Sequence, residues 1–288
     1  MADASRFLIV LGPDKGSLLF TTIAIGDALV ERGHNVTLLV DELVVQSRGK
    51  TFNDKFHLEI FKSSVTDEEI TRAEASVTEI ALTGQGGLKA GLHYSDEIMD
   101  GIFYRNCRDL LAQQDVIDRL RKANFSLVLV SLGHMCPSLV AKIIDVPFIG
   151  LMQGMDMPVA FAHAHHQPIN SAYMPPAFSG YSDKMSFPQR LLSAVLSVLQ
   201  WPNPLNAAFG FPNFRRLKEE YNISNGKSLF RIMDDAELWF VNSHFAFDYP
   251  HPVMPDTIFV GGLTTKRARP LQEVSGTKAV FFYLGILK

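Results

Sequence analysis

The chain has 288 residues, of which 47% are hydrophobic and 20% charged, and a formal net charge of −3 at pH 7. That length is enough to bury a sizeable core in one large domain or two modest ones. The near-neutral charge leaves no electrostatic case for nucleic acid, and no run reaches the roughly 18–20 apolar residues of a membrane span.

Residues 7–12 form a short continuous apolar run, the pattern of a strand buried on both faces. Residues 13–17 carry turn chemistry, and residues 18–32 place Leu19, Ile23, Ile25, Ala28 and Leu29 at helical spacing. Gly33 stands where a left-handed C-cap is expected, and residues 34–40 read as a second strand. Strand, helix and strand of this length predict a right-handed βαβ unit, with its first loop at the carboxyl edge of a parallel sheet. That loop has only Gly12 and Gly16, so it is not a G-x-G-x-x-G dinucleotide fingerprint. Nor does it carry the Gly-Lys-Ser/Thr of a P-loop.

Residues 56–61 alternate like a partly covered strand, and Asp67–Leu82 reads as a helix with Thr66 at its N-cap. Residues 84–91 are a glycine-rich break. Residues 96–122 carry the longest helical pattern, read as one helix, followed by an apolar strand over 125–132. Cys136–Ile144 reads as a helix and residues 146–150 as a strand, so the strand–helix–strand pattern repeats and predicts a doubly wound α/β sheet. Residues 152–188 lack clear periodicity and are long for a structureless connection. His163, His165 and His166 within them invite a metal reading, but no acidic or cysteine ligand lies at useful spacing. Residues 187–211 form an amphipathic helix broken around Trp201-Pro202-Asn203-Pro204. Helices over 214–221 and 228–235 lead into a strand at Leu238–Asn242 and an apolar run at 257–262, with one more strand-like run over 279–285.

Cys107 and Cys136 are too few for a disulfide framework, and each reads as a buried small hydrophobe. The start, Met1-Ala2-Asp3-Ala4-Ser5, lacks the regions of a secretory leader, so the chain as written reads as cytoplasmic. On that reading the glycosylation-type triplets at Asn35, Asn124 and Asn222 carry no weight.

Several stretches resemble the UDP-glycosyltransferases of the glucuronosyltransferase type. Ala28-Leu29-Val30-Glu31-Arg32-Gly33-His34-Asn35-Val36-Thr37 resembles that family's first helix-to-strand passage. Asn170-Ser171-Ala172-Tyr173-Met174-Pro175, with Ser179 to Phe187 and Arg190, resembles its middle loop. Val241-Asn242-Ser243, Pro250-His251-Pro252, Pro255 and Phe259-Val260-Gly261-Gly262-Leu263, closing on Pro270-Leu271, are the most specific match. The resemblance implies a Rossmann-like parallel sheet, the N-terminal domain of a GT-B glycosyltransferase fold, over residues 1–271. Residues 272–288 would be a linker and the truncated first strand of a UDP-sugar-binding domain.

By the same resemblance, the family transfers glucuronate- or glucose-type sugars from a UDP-sugar to small lipophilic acceptors. UDP-sugar is the co-substrate, and no tightly bound cofactor or metal is expected. The family resides at the endoplasmic reticulum membrane. In active relatives a histidine in the first loop takes the acceptor's proton, and a carboxylate after a later strand orients it. Aligned on Gly16-Ser17, the base position holds Leu18; aligned on Phe125 and Cys136, the orienter position holds Ser131. Neither residue can fill the role. His134, just past Ser131, would replace the orienter rather than the base, and its ordinary reading is a buried or loop histidine.

Ser17, Leu18, Leu19, His134, Met152 and Met155 are the expected acceptor-binding residues. Two functions follow. One is the acceptor half of a transferase, without activity alone. The other is a non-catalytic module that binds lipophiles or pairs with full-length relatives. The apolar residues of 187–211 are expected to pack on the core, with peripheral membrane contact as the alternative.

Overall fold

In the computed structural model the described residues are 4–13, 16–52, 54–82, 93–153, 165–175, 179–199, 211–246 and 251–265. Seven strands follow in chain order: β1 (Arg6–Val10), β2 (Asn35–Asp41), β3 (His57–Phe61), β4 (Leu127–Ser131), β5 (Phe148–Gln153), β6 (Leu238–Asn242) and β7 (Thr257–Phe259). They form one sheet in the order β3-β2-β1-β4-β5-β6-β7, and every pairing is parallel. This is the doubly wound Rossmann-like sheet that the alternating pattern predicts.

The apolar runs form interior strands because alternate residues feed two cores. Leu8 and Val10 of β1 join the core on one face, and Ile9 and Leu11 join the core on the other. Helices α1 (Ser17–Glu31) and α2 (Glu42–Arg48) cover the second face, burying Leu19, Ile23 and Val44 against Ile9, Leu38 and Leu129. The first face is covered by α3 (Asp67–Leu82), α4 (Tyr94–Phe103, with π-type pairing), α5 (Tyr104–Ala112), α6 (Gln114–Lys122) and α7 (Cys136–Ile144). Further along the chain come α8 (Phe187–Leu199), α9 (Pro212–Glu220) and α10 (Leu229–Met233), the last two packing on that same face.

Local chemistry sets the boundaries. Gly33 takes φ +85° after α1, and His34 N donates back to Leu29 O, closing the expected left-handed cap. Thr66 and Glu69 form a reciprocal capping box at α3: Glu69 N donates to Thr66 Oγ1 at 3.3 Å and Thr66 N donates to Glu69 Oε2 at 3.0 Å.

Four expectations are corrected. The single helix expected over 96–122 is three, with a break at Gln113, where ψ is 78°. Its side chain explains the break: Oε1 accepts from Lys62 N while Nε2 donates to Lys62 O, pinning the turn to the chain leaving β3. The strand expected at 146–150 starts instead at Phe148, because Asp145 turns left-handed (φ 57°) and Val146 N still caps α7 through Ala141 O. Helix α2 was not expected; Asp41 caps it by accepting from Leu43 N at 3.0 Å.

The cysteines are not separate thiols. Cys107 in α5 and Cys136 at the start of α7 are joined by a disulfide, because these two helices meet with the Cα atoms 5.5 Å apart. The glycine-rich break at 84–91, the broken end of the helix expected to reach 211, Met155, His163 and the run at 279–285 lie outside the described residues.

Candidate functional site

The connections from β1 and β4 lead to opposite faces of the sheet: α1 takes one and α7 the other. Between them lies a topological switch point, where the carboxyl ends of strands in such sheets open a crevice for ligands. The loop after β1 brings Gly12 to this crevice, and α1 begins there with Ser17 exposed, Leu18 half-buried and Leu19 sunk to 2% exposure in the core.

From the other side comes the short loop between Ser131 and Cys136. A Cβ placed on Gly133 would lie 3.6 Å from Ser131 Oγ and 3.8 Å from Leu18 Cδ2. The two aligned positions therefore face the same small space. Ser131 Oγ is buried and bonds to nothing among the described residues. An unbonded buried hydroxyl carries a desolvation cost, and here it stands at the position where the resemblance puts an orienting group.

His134 is 3% exposed, with its ring 4.2 Å from that of Phe103. On its other side it touches Gly12, where a Cβ would lie 3.0 Å from Nε2. It is held between a backbone and an aromatic ring. Met152, at 5% exposure, belongs to the core on the α7 face.

Sequence reading missed two polar groups at this edge. At the ends of β5 and β6, Asn242 Nδ2 donates to Gln153 Oε1 at 2.7 Å and to Thr21 Oγ1 at 3.2 Å. Thr21 Oγ1 in turn donates to Ser17 O at 3.0 Å, which ties the start of α1 to two strand ends. The available signal was two amide side chains closing two apolar strands. The second group centres on Asp41 at the end of β2, which is 1% exposed. Its carboxylate accepts from Leu43 N, Ser63 Oγ and Asn106 Nδ2.

Phe103, which backs His134, is positioned through α4. There Asp100 accepts from the N–H groups of Asn213 and Phe214 at the start of α9. Burial pushes the Asp100 carboxyl above its ordinary value, and those two N–H bonds oppose the shift. Of the histidines that invited a metal reading, His165 and His166 have other partners. His165 stacks on Trp239 and His166 meets Asp234 and Arg231. Among the described residues no three His, Cys, Asp or Glu side chains gather as a metal would need.

A family model described as UDP-glucoronosyl and UDP-glucosyl transferase matches residues 7–278. The chain is 26% identical over 290 residues to the 2-hydroxyacylsphingosine 1-beta-galactosyltransferase of Mus musculus, covering 99% of this chain and 51% of the relative. It is 28% identical over 260 residues to UDP-glucuronosyltransferase 3A1 of Bos taurus, covering 90% of this chain and 48% of the relative. Among solved structures, the glycotransferase of kitacinnamycin aligns over 94% of this chain and 54% of its own, with 14% identity and a TM-score of 0.49. The chain spans about half the length of the curated relatives it matches.

Proposed function

The chain belongs to the UDP-glucuronosyl and UDP-glucosyl transferase family, and on that premise we propose that residues 1–271 are the acceptor-binding half of a UDP-sugar-dependent transferase. Its acceptors are small lipophilic molecules, held in the crevice between the loops after β1 and β4. The observation that carries this reading is the convergence of Leu18 and Ser131 on Gly133. The sugar donor is a co-substrate brought by a donor domain of the family's kind, with residues 272–288 leading toward it.

Leucine takes no proton, and serine is a poor substitute for a carboxylate. A hydroxyl acceptor attacks well only as its proton leaves, and a positioned base contributes roughly 10²–10⁴-fold. A neutral amine already offers a lone pair. The site therefore favours nitrogen acceptors over alcohols and phenols. The test joins residues 1–271 at Leu271 to the donor domain of a relative and compares transfer to matched amines and phenols. Equal rates would refute the reading.

The same two residues support a second function: a non-catalytic module that binds lipophiles or associates with full-length relatives. Thermal shifts of the chain alone with a panel of lipophiles, together with no transfer by the fusion, would favour this function. Helix α8 adds a surface to either one. It exposes Phe187, Leu191, Leu192 and Val195, an apolar stripe suited to resting on a membrane surface. Among the described residues no helix is long and apolar enough to cross one.

A further inference from the structure

Two helices start at the carboxyl-edge crevice, α1 at Ser17 and α7 at Cys136. No side chain caps either start, and neither helix carries Asp or Glu in its first turn. Just before α1, Asp14 and Lys15 offset each other in formal charge. A helix start leaves backbone N–H groups without intrahelical partners and carries the positive end of the helix dipole, so each of these two favours a negative charge.

Helix starts alone select no ligand. A second, independent observation does: Ser131, at the end of β4, is 5% exposed, and its Oγ bonds to nothing among the described residues. That Oγ lies 3.6 Å from the position a Cβ would take on Gly133, in the loop leading to α7. Leu18 Cδ2 comes within 3.8 Å of the same position from the first turn of α1. One strand over, Gln153 has a buried Nε2 that also bonds to nothing among the described residues, while its Oε1 accepts from Asn242 Nδ2 at 2.7 Å. Leu129 and Leu151, two residues before Ser131 and Gln153, both belong to the core under α1, which puts the two polar side chains on that one face of the sheet. A hydroxyl and an amide NH₂ left without partners call for acceptor oxygens. Asp41 does not compete for them. It follows Leu39 on the opposite face and is held there by Asn106 of α5.

We propose that Ser131 and the starts of α1 and α7 form a site for the carboxylate of an acidic lipophile. One carboxylate oxygen accepts from Ser131 Oγ, and the ligand's carbon body lies against Leu18. Two features narrow the anion to this class. Residues 17–20 and 131–136 contain no Lys or Arg, so the site offers dipoles and a hydroxyl, which suit a singly charged group better than a phosphate dianion. A Cβ on Gly133 would already be in ordinary contact with both Ser131 and Leu18, so the space there is shallow and takes a flat carboxylate more readily than a tetrahedral oxyanion. A carboxylate in place of Ser131 would repel this ligand, whereas the hydroxyl donates to it. The assignment rests on the lipophile-binding crevice proposed above and adds which lipophiles it prefers.

The test uses the full chain and two probes of the same ring system, a naphthoate and the matching neutral naphthamide, with affinities read by calorimetry near neutral pH. The naphthoate is expected to bind about tenfold more tightly, the combined scale of two helix ends and one charge-assisted hydrogen bond. Ser131→Asp is expected to reverse that order. Ser131→Ala is expected to leave a preference of about threefold, because the helix dipoles remain. Alanine only removes an oxygen from a buried place, so this variant decides the matter if the aspartate variant fails to fold. Equal affinity for the two probes overturns the carboxylate site and leaves the lipophile crevice standing. Binding of neither probe overturns both. A preference unchanged by the substitutions at Ser131 puts the carboxylate elsewhere and overturns the assignment.

Discussion

Leu18 and Ser131 come from opposite sides of the switch point, yet both lie within 4 Å of the position a Cβ would take on Gly133. A histidine at one and a carboxylate at the other would extend toward the same space.

Restoring that pair is the first prediction. In the fusion of residues 1–271 to a donor domain, Leu18→His with Ser131→Asp should raise phenol conjugation by about 10²–10⁴-fold. Amine conjugation should barely change. Leu18→His alone should recover less, since its imidazole would lack an orienting partner. Steady-state kcat/KM for both acceptor classes checks all three statements.

The parallel sheet was legible because doubly buried strands leave continuous apolar runs, as in Leu8-Ile9-Val10 and Leu238-Trp239-Phe240-Val241. Thr66 announced α3 through a cap that depends only on local spacing. The break at Gln113 was not legible, because its cause lies 51 positions away at Lys62. Helix α2 was hidden by Val44 and Val45, which suit strands, although Asp41 before it was a usable cap signal. The approach of Leu18 to Ser131 was reached only by aligning each with a family pattern. The contact of His134 with Gly12 and the pairing of Cys107 with Cys136 had no local signature.

Gly12→Ala should destabilise the fold. The new Cβ would meet three atoms of the His134 ring at 3.0–3.2 Å, and Phe103 blocks its retreat. Overpacking of this kind costs about 1–3 kcal/mol. Urea denaturation should show that loss, and adding His134→Ala should make the glycine substitution nearly neutral.

Removing the disulfide should cost more. The bridge spans 29 positions, for which loop-closure entropy corresponds to about 3–4 kcal/mol of stability. Cys107→Ser with Cys136→Ser should lower the urea midpoint accordingly, and reduction of the unmodified chain should reproduce the shift.

His165 should make stability depend on pH. Burial holds its imidazole below the ordinary value of 6.5, and neighbouring His166 pushes the same way. Asp256 and Asp234 pull it upward without prevailing. The unfolded chain therefore binds a proton that the folded chain refuses. The contribution is complete above about pH 6.5 and is lost as pH falls below it, with a slope of at most about 1.4 kcal/mol per pH unit. Unfolding free energies at about pH 7.5 and about pH 5.5 should differ less in His165→Gln than in the parent chain. Trp239, 4.0 Å from the imidazole, offers the fluorescence signal.

Asp41, a buried carboxylate at the end of β2, is already engaged by neighbouring donors. A backbone N–H, a hydroxyl and an amide NH₂ all present hydrogens to it, which holds it as an acceptor on both oxygens. The position selects by polarity. Asp41→Asn would keep the outline, yet the new amide would turn two hydrogens of its own toward groups that are already donating. The corner where β2, α2, α5 and the chain after β3 meet is therefore sensitive to a reversal of donor and acceptor.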